Sequence, residues 1–445
     1  MCAACGIATH VVEASPAGVG VPSVGVPGVE GVAGRKFAAL RNRDCRTYLV
    51  GGALAMMADN IEHVITYWVL WQKFHSPTLA GFQVISHWVP FLLLSVYFGS
   101  LADRYDCRRV IQAAQVLFMA VSATWGILFF TGTLQVWHAC VLLVLHGMAG
   151  ALWGPGEQLM LHDFVGTEEL PSAVRMNATA RSLGILFGPV VGSVLLLGLG
   201  PTAGIFVNIA FYLPLTLFLF RTRFTGHTRD GQPRRRVGIV ESVRVLREVG
   251  SNHTLVSMII LAGLGSFFVG ASLQSAMPIF AQDLGAGSAG TAYGVLLFAT
   301  GAGGVVGGVL LEATHRIRPT VRTAVVSTAI YGLATVLFAV SHSYALAVAM
   351  LFVAGVANLA SMSVGQTVVQ LLAPPAERGR VIGVYGMSAN GLRAGSGFTV
   401  GLFGAAVGVH WSLGLSAAAL CVGTAFAGWY ALGGRARAAS VGPRG

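Results

Sequence analysis

Four residues in the stretch MADNIEHVITYW are the first in the chain with chemistry to offer: Asp59, Glu62, His63 and Thr66. They follow one another at i, i+3, i+4 and i+7, which puts all four on one face of a helix. The residues around them are apolar. An ionisable side chain at bilayer depth costs about 2.5–3.5 kcal/mol on insertion scales, and where one persists it usually has a function. Two carboxylates one turn apart repel, and they share one titration instead of each keeping its own. A group that gains and loses a proton near neutral pH is what proton coupling requires, so Asp59 and Glu62 are the candidates for that step. His63 is read as their hydrogen-bonded neighbour and Thr66 as a polar wall of the same cavity. The structural alternative is an ion pair with Arg181 or Arg393 that never titrates.

Further polar residues recur at helical spacing. Asn177, Arg181, Gly184 and Gly188 share one face, and Asn390, Arg393, Gly397 and Gly401 repeat the pattern near the end of the chain. Each set aims an arginine at a cavity from a surface small enough to pack closely, unless Arg181 lies near the membrane surface and snorkels out. Glu157 in WGPGEQ reads as structural. Trp68 and Trp88 are candidates for a substrate wall, because aromatic faces hold flat apolar molecules without strict geometry. Trp71 and Trp137 are better explained as interfacial anchors.

The elements that must carry these residues follow from composition. Of 445 residues, 55% are hydrophobic and 10% charged, whereas soluble globular chains carry about 25% charged residues. Most of this surface must meet lipid. Apolar runs fall near 47–72, 79–101, 110–131, 136–161, 172–199, 201–220, 254–281, 289–312, 321–340, 344–372, 381–407 and 411–432. Each is long enough for the roughly 20 residues a spanning helix needs. The net charge of +11 is not spread as a nucleic-acid surface would be. Basic residues cluster in alternate connections, and Lys73 is the only one in the others. That alternation predicts both termini on the cytoplasmic side of a cytoplasmic (inner) membrane.

The predicted architecture is all-α: twelve transmembrane helices in two pseudo-symmetric six-helix bundles. Residues 1–34 read as a disordered cytoplasmic tail and 35–220 as the first bundle. Residues 221–253 form a basic cytoplasmic linker, 254–433 the second bundle, and 434–445 a closing tail. GSLADR after the second span has a weak echo in GVLLEATHR after the eighth, with Gly99, Leu101 and Asp103 opposite Gly308, Leu310 and Glu312. Two such halves are typical of secondary transporters, whose site lies between them.

GSLADRYDCRR (99–109) resembles the loop between the second and third helices of the major facilitator superfamily, through Gly99, Leu101, Ala102, Asp103, Arg104 and Arg108. Asp106 and Cys107 depart from that pattern. The resemblance covers residues 35 to 435. It extends to the drug-efflux branch that contains macrolide exporters and the enterobactin exporter, through FAALRNRDCRTYLVGGALA and GPGEQLMLHDFVGTEELPSAVRMNATARSLGILFGPVVG. GILFGPVVGS is similar to that branch's antiporter motif at Gly184, Gly188, Pro189 and Gly192, with Ser193 in place of the last glycine. In the family the 99–109 loop locks the cytoplasmic face, its acid pairing with a helix terminus or an arginine. The resemblance thus implies a latch at Gly99, Leu101, Asp103, Arg104 and Arg108. A family proton-transfer motif in the fourth helix places an arginine four residues before a glycine. Here Leu143 precedes Gly147, so a proton must use other residues.

No nucleotide-binding P-loop, HExxH or GxSxG is present, and an enzyme is not expected. No cofactor and no metal are assigned: Cys2 and Cys5 with His10 lack the fourth ligand that zinc needs. The sequence therefore predicts a monomeric secondary transporter in the lipid bilayer, without nucleic acid. It exports an amphipathic small molecule, drug-like or siderophore-like, in exchange for protons. An importer of a nutrient or siderophore complex on the same fold is the alternative, and a non-transporting membrane sensor or scaffold is the alternative from another class.

Overall fold

A computed structural model of the chain describes residues 36–228, 247, 249–250, 252–284, 289–314, 318–396 and 403–440. The expected tail at 1–34 lies outside these residues, as do most of the expected linker and the pair Cys2 and Cys5. The described part is helical, with no strand among the described residues.

A short helical turn, Ala38–Arg41, precedes the first long helix, α1 (Arg43–Phe74). Asn42 caps α1 by accepting from the Cys45 N–H. Ser76 caps α2 (Pro77–Arg104) in the same way, with Pro77 in the first turn, where its missing N–H costs nothing. Asp106 caps α3 (Cys107–Thr131), which ends at Gly132 in the left-handed conformation. The helical run Val136–Arg221 is 86 residues long, but Gly166 (φ 73°) and Gly200 (φ 77°) break it. These positive φ angles suit glycine, and they divide the run into α4 (136–165), α5 (167–199) and α6 (201–221).

α7 comes in two pieces, His253–Phe268 and Ser272–Asp283. α8 (Ala289–Thr314), α9 (Val321–Ala339) and α10 (Tyr344–Leu372) follow. α11 runs through Arg378–Gly386, a π turn at Met387–Gly391 and Arg393–Ser396. A further turn spans Phe403–Val407, and α12 is Val409–Ser440. The last helix continues past 434, into the segment read from the sequence as the closing tail.

Among the described residues seven helices are long and apolar enough to cross a bilayer, and one of them is the run that the two glycines cut into three. The remaining spans are α1, which carries Asp44, Asp59 and Glu62, and α7 and α11, which are interrupted.

Six spans precede residues 229–246 and six follow. Leu197 (86% exposed) and Phe130 (80% exposed) belong to an outer surface whose apolar side chains suit lipid. The two sets of spans meet along α2 against α11 and α5 against α8, and glycines set the distance. A Cβ on Gly99 would strike the Gly379 carbonyl, and one on Gly303 or Gly355 would strike the facing helix within the second set.

Candidate functional site

α1 brings Asp59 and Glu62 into the interior, and α4 meets them with His146. The imidazole bridges the acids: Nε2 lies 2.7 Å from Asp59 Oδ1 and Nδ1 lies 2.9 Å from Glu62 Oε1. Ser122 of α3 donates a short hydrogen bond to the other Glu62 oxygen. Glu62 and His146 are almost fully buried, at 2% and 3% exposed. Every one of these polar groups has a charged or hydroxyl partner, which is the condition under which burial of a charge is tolerated. Phe118 stacks on Tyr212 (5.3 Å between ring centres) and turns an edge to His146 at 4.9 Å, which seals that side with apolar rings.

The expected grouping of Asp59, Glu62, His63 and Thr66 is present on α1, with two differences. His63 does not hydrogen-bond to the acids; its Nδ1 stands 3.9 Å from Asp59 Oδ2. Thr66 turns back along the helix and donates to the Glu62 backbone carbonyl at 2.7 Å. The acids do not pair with Arg181 or Arg393. Arg181 bonds Glu157 at 3.1 Å and lies over Trp153, so Glu157 has a structural partner. His146 was missed by sequence reasoning. The signal available was a lone histidine inside the apolar run VLLVLHGMAG of α4, one residue before Gly147.

His87 of α2 completes a ring cluster, 4.9 Å from His63 and 5.7 Å from His146. One ligand atom from each of Asp59, His63, His87 and His146 lies within 4.8 Å of the others. The donors are of metal-binding type. However, His146 spends both nitrogens on Asp59 and Glu62, so an ion would have to break that bridge. The arrangement is suited to passing a proton between two carboxylates through an imidazole.

Gly184, Gly188 and Gly192 lie against α1. A Cβ on Gly184 would press on Ala53 and Met56, one on Gly188 would overlap Asn60, and one on Gly192 would lie 3.2 Å from the Ile61 Cα. α5 therefore lies directly against the turn of α1 that holds Asp59 and Glu62, with Pro189 inside the helix at the same level. Asn177, further along α5, is buried.

At the basic end of the molecule two carboxylates, Asp103 and Glu312, tie the two sets of spans. Asp103 at the end of α2 accepts from the backbone N–H of Gly379 (2.5 Å) and of Arg380 (3.0 Å) in the first turn of α11. An anion at a helix N-terminus is favoured by the free N–H groups and the dipole. Leu101 is partly buried in the same turn, while Arg104 lies over the Tyr105 ring at 5.7 Å. Arg108 forms a fork with Asp106 (2.6 Å) and donates to the Thr222 carbonyl, so it orders the loop itself. The second tie mirrors the first. Glu312 of α8 accepts from Arg175 at 2.7 Å, from Ser172 in a short bond, and from the Phe37 N–H at 2.9 Å. Gln370 donates to Gln158 between the ties at 2.8 Å.

On α11, Asn390 lies in the π turn. Arg393 sets its guanidinium 4.7 Å from the Trp88 ring centre. Trp68 is half exposed and makes no ring contact among the described residues.

Comparison with known proteins places this geometry. Residues 35–439 match the family described as transmembrane secretion effector. The staphyloferrin A transporter of Staphylococcus aureus is 21% identical over 77% of this chain and 85% of its own length. Macrolide efflux protein A of Streptococcus pyogenes is 20% identical over 34% of this chain and 37% of its own length. Among solved structures, the E. coli fucose:proton symporter aligns with a TM-score of 0.66 at 13% identity, covering 86% of this chain and 98% of the symporter. A bacterial homologue of the human lysosomal transporter Spinster aligns with a TM-score of 0.60 at 15% identity, covering 90% and 98%. These likenesses share the fold.

Proposed function

Because the chain belongs to the transmembrane secretion effector family of major facilitator transporters, we propose that it exports an amphipathic small molecule, drug-like or siderophore-like, by proton antiport. It is a multi-pass membrane transporter and not an enzyme; direction, coupling ion and substrate are the proposal. The observation that carries it is the buried bridge Asp59–His146–Glu62. Its two acids and one imidazole sit on two helices, so protonation and deprotonation change how α1 is held to α4. A proton taken from one side and released to the other then biases the alternation between open states.

The ties at Asp103 and Glu312 act as latches that hold one end shut. That end carries the basic loops, and we assign it to the cytoplasm, with both termini there, in the cytoplasmic membrane. The two bundles, 35–220 and 254–433, move as units about the contacts of α2 with α11 and α5 with α8. Export in preference to import is supported by the glycines at 184, 188 and 192, which resemble the antiporter motif, and by the likeness to a macrolide efflux protein.

The test is accumulation of a compound panel in cells with and without the protein. Export predicts lower accumulation of at least one compound when the protein is present, and loss of that difference when a protonophore collapses the pH gradient. Higher accumulation with the protein present would identify an importer. No change for any compound would leave the chain without a transport role.

A further inference from the structure

Arg393 of α11 differs from Arg175 and Arg181, the two arginines of α5. Arg175 has Glu312 and Arg181 has Glu157. Among the described residues Arg393 has no acidic partner, and its Nε is buried without a hydrogen bond. The acids of α1 hydrogen-bond His146 and make no ion pair with Arg393 among the described residues. A guanidinium kept within the membrane with no counter-ion of its own is expensive. Such a charge persists where a ligand brings the opposite one.

The backbone around it is built to present it. The π turn at Met387–Gly391 ends two residues before Arg393, and the break in α7 at 269–271 lies opposite. π turns are often found at functional sites, and interrupted helices line the sites of transporters. The two interruptions are pinned together. Ser266 Oγ donates to the Ala389 carbonyl at 2.5 Å, and the Ala271 N–H donates to Ser396 Oγ at 3.1 Å. Ser396 in turn donates to the Arg393 carbonyl at 2.7 Å. A Cβ on Gly270 would strike the Ser266 carbonyl and would also meet Arg393 Cγ at 3.2 Å, so the break in α7 closes on both. Trp88 of α2 then receives the guanidinium on its face. The site thus joins one helix of the first six spans to two of the last six, where a ligand would be held between the halves.

We propose that Arg393 and Trp88 form an anion subsite, so that the substrate carries an oxyanion, a carboxylate or sulfonate, beside a flat apolar body. The guanidinium fork matches the two oxygens of such a group. The indole supplies a surface for the apolar part. The inference rests on the reading that the chain moves an amphipathic small molecule, and narrows that class to acids.

Matched probes test it: naphthaleneacetate and its neutral counterpart naphthaleneacetamide, bound to purified full-length protein and followed by calorimetry. The wild type is expected to prefer the carboxylate by about tenfold or more, the strength of a charge-assisted fork. Arg393→Gln erases the preference while leaving amide binding in place, which also reports that the variant is folded. Arg393→Lys keeps a charge without the fork and retains only part of the preference. Equal binding of both probes by the wild type, or a preference that survives Arg393→Gln, overturns the subsite. Flux separates this failure from the other. If cells expressing the protein still expel other compounds while the purified protein shows no acid preference, the anion subsite falls and transport stands. If naphthaleneacetate binds with the Arg393-dependent preference but no compound moves, the transport reading falls instead.

Discussion

His146 holds together two acids that would otherwise repel, and it does so with both ring nitrogens. Removing the ring alone leaves Asp59 and Glu62 buried without their partner, a loss expected to cost about 3–5 kcal/mol. His146→Ala should therefore lower the thermal midpoint in detergent sharply. The triple change Asp59→Asn, Glu62→Gln, His146→Ala should recover most of that stability, since it removes the charges together with the ring. A thermal series that is simply additive would mean that the three residues do not act as one unit. The acids were legible in the sequence because their spacing places them on one helical face. Their partner was not, because 84 residues separate Glu62 from His146 and no local pattern reports a contact between helices. A lone histidine in an apolar run was the only trace. The same holds for Arg393, whose alignment with Asn390 was visible but whose contact with Trp88 was not.

At the scale of the helix, α5 sets the position of α1. Gly188 faces Asn60, between the two acids in sequence, with no room for a side chain. Gly188→Leu is predicted to push α5 from α1 and abolish flux, while the protein still inserts and elutes as a single species. Gly188→Ala is predicted to retain part of the activity because it adds less bulk. Normal flux by the leucine variant would show that the close approach is not needed. Among the described residues a helix lies over each of the twelve apolar runs, because a long apolar run is a strong signal. The sequence did not show where α7 breaks or where α11 opens into a π turn. Gly270 looks like any other glycine in a chain with 59 of them, and the break is fixed by Ser396 and Ala389 on another helix.

Across the whole molecule, the ties at Asp103 and Glu312 occupy equivalent places in the two halves. The sequence suggested this when Glu312 fell opposite Asp103, although nothing in the sequence showed that the Phe37 N–H joins the second tie. Asp103→Asn keeps the size of the side chain but replaces one acceptor oxygen with a donor. It is predicted to lower transport without changing insertion. The closed end can be read directly by pairing Gln158→Cys with Gln370→Cys in a background free of other cysteines. Their parent side chains meet tip to tip at 2.8 Å, a span longer than a disulfide bridges, so a short bifunctional thiol reagent should cross-link the two cysteines and stop transport. Adding Asp103→Asn and Glu312→Gln should reduce the cross-linking yield. An unchanged yield would show that the ties do not hold that end shut.

The central claim is that Asp59, His146 and Glu62 carry the coupled proton, and the most direct measurement is flux in proteoliposomes under an imposed pH gradient. The wild type is predicted to accumulate substrate uphill. Asp59→Asn should lose gradient-driven accumulation but keep downhill exchange of substrate, which needs no net proton movement. Glu62→Gln should do the same if it is the carrier, and should only shift the pH optimum if it tunes its neighbour. Uphill transport retained by both variants would contradict the account and send the proton, or another coupling ion, through a different part of the molecule.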